Sequence, residues 1–327
     1  MSPQVRSTRA MTAADGPLVA DLLNQQHQML IGRDVADGDD IATWLSMPNG
    51  DLGRDSRILF DASGTAVASI IVEGRARTNL VKVFVSLGQT PSRRAVAGEL
   101  LSLVDEHAHV CARAAGLVDP AVEIEEVPTG DPDLEAELAV AGFTATRRSV
   151  ELGRPLTGGL AVPQFPPGVT TVTVDLDDPM HLDALAQIEA EAFGDHDGDL
   201  VMQRDEIEHL LRVDPKYLPH LQLLAVDAAR LDLPATAVGL CLAAPMPTEP
   251  VPTGYVASLG VRRSSRGHGL GRALLLAQFH SFVRMGWHEA RLHVQLGNRT
   301  GADRLYASLG MSPVSGFAAW TGSLRGR

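Results

Sequence analysis

Between residues 255 and 295 the sequence runs through four segments of different character, and their order dictates a topology. Residues 255–261 are short and mostly apolar and read as a strand. Gly267, Gly269 and Gly271 then alternate through a turn. Leu274, Leu275, Leu276, Phe279 and Phe282 follow as a helix to about Met285, with Gly286 placed as its stop. Residues 290–295 read as a second strand. Strand, helix, strand in that order is a parallel crossover.

The surroundings extend this into a domain. Residues 221–227 and 235–243 read as strands and join 255–261 by short links, as an antiparallel meander does. Before them come a strand over 169–174 and a helix over 179–193, with Leu182, Leu185, Ile188 and Ala192 on one stripe. A second helix covers about 201–213. After 295 a short helix over about 300–308 ends at Gly310, and weak strands close the chain. The expected fold class is α/β (α+β), a mixed, mainly antiparallel sheet with helices on both faces.

The chain has 327 residues, enough for two domains. The stretch 153–168 holds four prolines and four glycines and has no steady period. The first half repeats the order of the second: a helix over 17–30, strands over 57–60, 66–72 and 81–87, and a long helix over 92–115. Residues 92–101 echo 265–274, and 135–143 echo 305–311. The expected organisation is one fold twice, with domains at 1–155 and 169–327 and a linker at 156–168.

Charge and composition exclude several classes. A net charge of −12 argues against general nucleic-acid binding, which rests on neutralised phosphates. No acidic residue lies between Glu249 and Glu289, yet Arg262, Arg263, Arg266, Arg272 and Arg284 do. That basic island coincides with the glycines and suits a small anion. The N-terminal residues have no apolar core of the kind a signal peptide carries. The longest apolar run, about 237–246, is too short for a bilayer. Cys111 and Cys241 are far apart and suggest neither a disulfide framework nor a metal site. A cytoplasmic protein without a metal, a membrane or a nucleic-acid partner is expected.

A glycine turn opening a helix suits phosphate, because glycine permits close backbone approach and the helix N-terminus favours an anion. A P-loop needs a lysine and a hydroxyl after the last glycine, and neither is present. A dinucleotide fingerprint would need glycine where Arg272 stands, and Glu289 lies before the next strand rather than at its end. A turn that serves only tight strand-to-helix packing stays open. The pattern R-x-x-G-x-G is met by Arg266, Gly269 and Gly271.

With that pattern, residues from about 169 to 325 resemble the GNAT superfamily of N-acetyltransferases. The preceding strand, the apolar helix, and Asn298, Tyr306, Gly310 and Met311 further on carry the resemblance, with Gly-Met replacing the commoner Gly-Phe. It implies acetyl-CoA as cosubstrate, lying between strands 255–261 and 290–295. Leu259 and Val261 would pair with the pantetheine arm. The amides of Gly267, His268, Gly269, Leu270, Gly271 and Arg272 would hold the pyrophosphate, Arg266 and Arg272 adding charge. Asn298 would contact pantetheine or position its helix. Tyr306 matches the phenol that protonates the leaving thiolate. The strand before the motif lacks a carboxylate, so His293 is the base candidate, with Asp195, His196, Asp197 and a water chain as alternatives. The acceptor would be a small amine or a peptide, and a homodimer is the candidate assembly. A noncatalytic acyl-CoA-binding regulatory module is the alternative. In the first half, Arg94, Val96 and Gly98 align with Gly267, Gly269 and Gly271, Leu138 with Tyr306 and Gly130 with Asn298. That half is expected to keep the fold without the cofactor site.

Overall fold

The computed structural model describes residues 4–47, 51–76, 78–194, 201–214, 216–228, 233–297 and 301–324. The chain forms two compact units, Met1–Val150 with Ser315–Arg327, and Glu151–Val314.

The first unit holds β1 (Ser7–Ala10), α1 (Gly16–Ile31), α2 (Gly38–Leu45), α3 (Leu52–Asp55), β2 (Arg57–Phe60), β3 (Ala66–Arg75), β4 (Leu80–Leu87), α4 (Arg93–Ala114), β5 (Ala121–Pro128) and α5 (Pro132–Val140). β6 (Thr144–Pro155) ends the first pass through the fold. The second pass is β7 (Val169–Thr173), α6 (Pro179–Phe193), α7 (Arg204–Val213), β8 (Leu223–Asp227), β9 (Ala237–Pro245), β10 (Thr253–Val261), α8 (Leu270–Arg284), β11 (Glu289–Gln295), α9 (Ala302–Ser308) and β12 (Ser312–Ser323). Apart from the extra turn α3, the two passes have the same order.

Each unit contains an antiparallel meander that becomes parallel at its crossover. In the first unit β1 to β4 pair antiparallel in sequence, and β4 pairs parallel with β5. In the second, β7 to β10 pair antiparallel and β10 pairs parallel with β11. The division differs from the expected one at the C-terminal end. Residues 315–327 fall in the first unit because Phe317–Ser323 pairs antiparallel with β5 there.

Alternation along the strands gives those of each unit two buried faces. In the first unit Val81, Val83 and Val85 pack with Val96, Leu100 and Val104 of α4, while Ile58 and Ile71 pack with Val19 and Leu45 on the other face. In the second, Leu240 and Leu242 of β9 pack with Leu185 and Ile188 of α6. On the opposite face α8 lies so close that a Cβ added at Gly254 would come within 2.6 Å of the Phe282 ring. Each fully buried side chain of this size contributes about 1.5–3 kcal/mol. The helix ends follow local chemistry. Asp178 caps α6 by accepting from Met180 N, and Pro179 opens its first turn.

Candidate active site

The site starts where β10 loses its partner. β10 and β11 pair from Thr253–Glu289 to Val256–Leu292 and no further, although β10 continues to Val261 and β11 to Gln295. At that point the register of β10 against β9 slips, between Val256 and Ser258. A bulge bends its strand and strengthens the local twist, so the second half of β10 follows β9 away from β11. The opening is bordered by Ala257–Val261 on one side and His293–Gln295 on the other. Arg262 N donates to Val238 O at 2.9 Å, on the β9 side. Backbone groups alternate in direction along a strand, so those of Leu259 and Val261 face the opening.

The turn after β10 permits close approach. Gly267 and Gly269 both have φ of +81°, and a Cβ added at either would meet nothing within 4 Å. Glycine enters that left-handed region without the steric cost other residues meet. Gly267, His268 and Gly269 are exposed. Gly269 is the N-cap of α8, and no described side chain caps that end. The first amides of a helix lack partners within it, and the dipole favours an anion there. Leu270, by contrast, is buried: its side chain and that of Leu274 lie against Gly239 of β9 and fix where the helix begins.

Arginines brace this turn. Arg266 Nε donates to Val261 O at 3.0 Å and Nη2 to Ala192 O at 3.3 Å, tying the turn to β10 and to α6. Arg272 Nη1 donates to Ser308 Oγ at 3.0 Å. Arg262 forms an ion pair with Glu191 at 3.1 Å, and the same carboxylate accepts from Arg263 N at 2.8 Å. The basic island is therefore partly neutralised from α6.

α9 approaches from the α8 side. A Cβ added at Gly271 would lie 3.5 Å from Leu305 Cδ2. The next residue, Tyr306, is 7% exposed. Burial, and then the nearby buried Cys241 thiol, push its phenol up to about 12. Cys241 is the cross-strand partner of Leu259. His293 stands one residue past the last β10–β11 pair and is half-buried. Asn298 lies outside the described residues, as do Asp195, His196 and Asp197.

Comparison with known proteins bears on this geometry. Residues 182–311 match the model of the acetyltransferase (GNAT) family. The chain superposes on a GCN5-related N-acetyltransferase from Sphaerobacter thermophilus with a TM-score of 0.72 and 24% identity, over 98% of this chain and 96% of that one. It superposes on a tandem GNAT protein from the clavulanic acid biosynthesis pathway with a TM-score of 0.69 and 18% identity, over 98% and 99%. Residues 182–311 are thus similar to the GNAT family, and the chain shares the fold of these structures. Its tandem GNAT fold accounts for the repeated order of elements. Mycothiol acetyltransferase from Thermobispora bispora is 32% identical over 59% of this chain and 61% of that protein. The enzyme of the same name from Frankia casuarinae is 34% identical over 54% and 53%. The chain thus matches between about half and three fifths of the length of these curated relatives.

The first GNAT unit holds a different arrangement at the corresponding place. β4 and β5 pair from Leu80–Ala121 to Phe84–Glu125, and both strands continue beyond. Polar side chains tie the continuing ends together. Arg93 donates to both Asp131 oxygens at 2.5 and 2.6 Å, and to Leu87 O at 3.3 Å. Gln26 Nε2 donates to Asp131 Oδ2 at 2.7 Å, while Gln26 Oε1 accepts from Leu87 N at 3.4 Å. All three side chains are buried. Burial pushes the Asp131 carboxyl up, but the hydrogen bonds from Arg93 and Gln26 outweigh it and hold the group below its usual range. Leu138, aligned with Tyr306, is fully buried.

One polar residue of the second GNAT unit escaped the sequence reading. Glu189 of α6 is buried, and its Oε2 accepts from Ser258 Oγ at 3.1 Å. The signal was present. Glu189 stands four residues after Leu185 and three before Ala192, on the apolar stripe of its helix, where a charge is rarely found.

Proposed function

We propose that the second unit is an acetyl-CoA-dependent N-acetyltransferase, moving the acetyl group to a primary amine by direct attack. The observation that carries this reading is the parting of β10 from β11 beside an uncapped glycine turn. The opening takes the pantetheine arm as an added strand, using the backbone of Leu259 and Val261. The amides from Gly267 to Arg272 receive the pyrophosphate. The thioester carbonyl then reaches the bulge, where an amide of β10 stabilises the oxyanion that develops on attack. Tyr306 protonates the departing sulfur. Its raised pKa keeps the phenol in the proton-bearing form this role requires.

The curated relatives support the acetyl-transfer half of the proposal, since each is named a mycothiol acetyltransferase. The acceptor proposed here is a small amine or a peptide. No described helix is long and apolar enough to cross a membrane.

The test is turnover. The protein is incubated with acetyl-CoA and a panel of amines, amino acids and peptides, and released thiol is followed. Amine-dependent thiol release is expected. Tight acetyl-CoA binding with no release across the panel would sink the transferase reading.

A further inference from the structure

The proposed reaction needs a proton acceptor, for which half-buried His293, one residue past the last β10–β11 pair, is one candidate. An ammonium must lose a proton before its nitrogen can attack, and Tyr255, Val256, Ala257 and Ser258 of β10 offer no carboxylate. α6 supplies one. Glu189 is only 7% exposed, and an ionised carboxylate held out of water is costly unless it is bonded. Its bond from the Ser258 hydroxyl places it. Ser258 is the residue at which the β10 register resumes after the bulge, two positions past the last pair with β11. α6 is seated on the same stretch, because a Cβ added at Gly260 would lie 3.1 Å from Ile188 and 3.3 Å from Ala192. The carboxylate is therefore anchored at the root of the opening, on the α6 face of the sheet. Tyr306 belongs to a helix that packs on α8, which covers the opposite face.

From this geometry we infer that Glu189 is the general base of the transfer and that Ser258 is its positioning residue. The inference rests on the amine-acetylation reading above. Glu189 takes one proton from the ammonium. The freed nitrogen pair forms the C–N bond at the thioester carbonyl carbon, and the carbonyl π pair moves onto oxygen. When that pair returns, the C–S bond breaks. The sulfur leaves with the bonding pair and takes the Tyr306 proton. The surplus proton on nitrogen restores the phenol through water, and Glu189 releases its proton to solvent. Each turnover frees one proton, which balances the conversion of ammonium and thioester to amide and thiol.

The experiment uses the full chain, acetyl-CoA, and an amine on which the wild type releases thiol. Glu189→Gln is expected to lower kcat by about 100-fold, the ordinary reach of a positioned base, with acetyl-CoA Kd unchanged. Ser258→Ala removes the bond to the carboxylate and is expected to lower kcat by about tenfold. Ser258→Thr, which keeps a hydroxyl, restores it. Wild-type kcat in Glu189→Gln overturns the inference. If that variant does not fold, the serine pair decides, and equal kcat in Ser258→Ala and Ser258→Thr overturns it. A wild type that acetylates no amine overturns the transfer reading itself, and the base assignment falls with it. A wild type that turns over alongside unimpaired variants removes only the base.

Discussion

At matching positions the two GNAT units spend the same residues differently. Ser92 corresponds to Ser265. In the first unit the helix starts at once, at Arg93, whereas in the second it waits until Leu270. The four residues between form a turn with two left-handed glycines in one unit and a full turn of helix in the other. The arginine that follows each serine shows the same divergence. Arg266 holds two main-chain carbonyls and keeps the turn open, while Arg93 holds a buried carboxylate and ties the strand ends shut. The strands differ as well. The β3–β4 register is unbroken from Ala68–Leu87 to Arg75–Leu80, whereas β9–β10 slips at the bulge. Among the described residues the two units therefore differ in three local features: the second has a bulge, a delayed helix and no side-chain bridge between the parted strands. The first unit has an unbroken register, an immediate helix start and a bridge, and retains the architecture.

The largest effect is expected where the first unit is tied. Asp131→Ala takes both short carboxylate contacts from buried Arg93 and leaves it Asp133 at 3.6 Å, a change of a kind that typically costs about 3–5 kcal/mol. Chemical denaturation should show a loss of that order, with acetyl-CoA Kd unchanged in the protein that remains folded. A loss of acetyl-CoA binding that tracks Asp131 would place a cofactor role in the first unit and break the comparison.

The next largest effect tests the turn directly. Gly269→Val gives the second unit the residue that the first unit has at Val96. A side chain at φ +81° costs about 1–2 kcal/mol, and its Cβ enters space that is open in the native turn. Calorimetry should find acetyl-CoA binding weakened about 100-fold, or about 2.7 kcal/mol. The reverse change, Val96→Gly, should create no site, because the first unit is already helical there and its strand ends are bridged. Preserved affinity in Gly269→Val would show that the phosphates lie elsewhere.

Tyr306→Phe follows in size. Leu138 already occupies this position in the first unit, so an apolar residue is compatible with the fold. Loss of a general acid here is expected to lower kcat by about 10- to 100-fold, with acetyl-CoA Kd unaltered. An equal fall in affinity would make Tyr306 a packing residue.

Much of this contrast was legible in the sequence because it is local. Glycine spacing, the stripe of α6 and the Gly286 stop each act within a few residues of themselves. The parallel crossover followed from element order alone. β5 was not legible. Its apolar positions Val122 and Ile124 alternate with Glu123 and Glu125, which are buried against Lys82 and Arg147. A charged residue reads as exposed until its partners are known, and these lie on other strands. The return of Phe317–Ser323 to β5 was hidden for the same reason, since strand pairing across such a distance leaves no local mark. Glu189 is the intermediate case. Its misplacement on an apolar stripe was visible, but the reason for it, a hydroxyl on β10, required the fold.

The smallest expected effect concerns pH, and its sign follows from burial. Taking a phenol out of water disfavours the phenolate, so the Tyr306 pKa rises rather than falls. A phenol with the ordinary value of about 10 would be half ionised at about pH 10, and an acid role would lose half its rate there. With the group pushed up to about 12, only about one part in a hundred is ionised at that pH. The kcat of the wild type should therefore hold between about pH 8 and about pH 10, and decline only toward the raised value. A twofold loss by about pH 10 that disappears in Tyr306→Phe would mean that the phenol meets water when the cleft is occupied. It would also make the second unit's opening wetter than the sealed strand ends of the first.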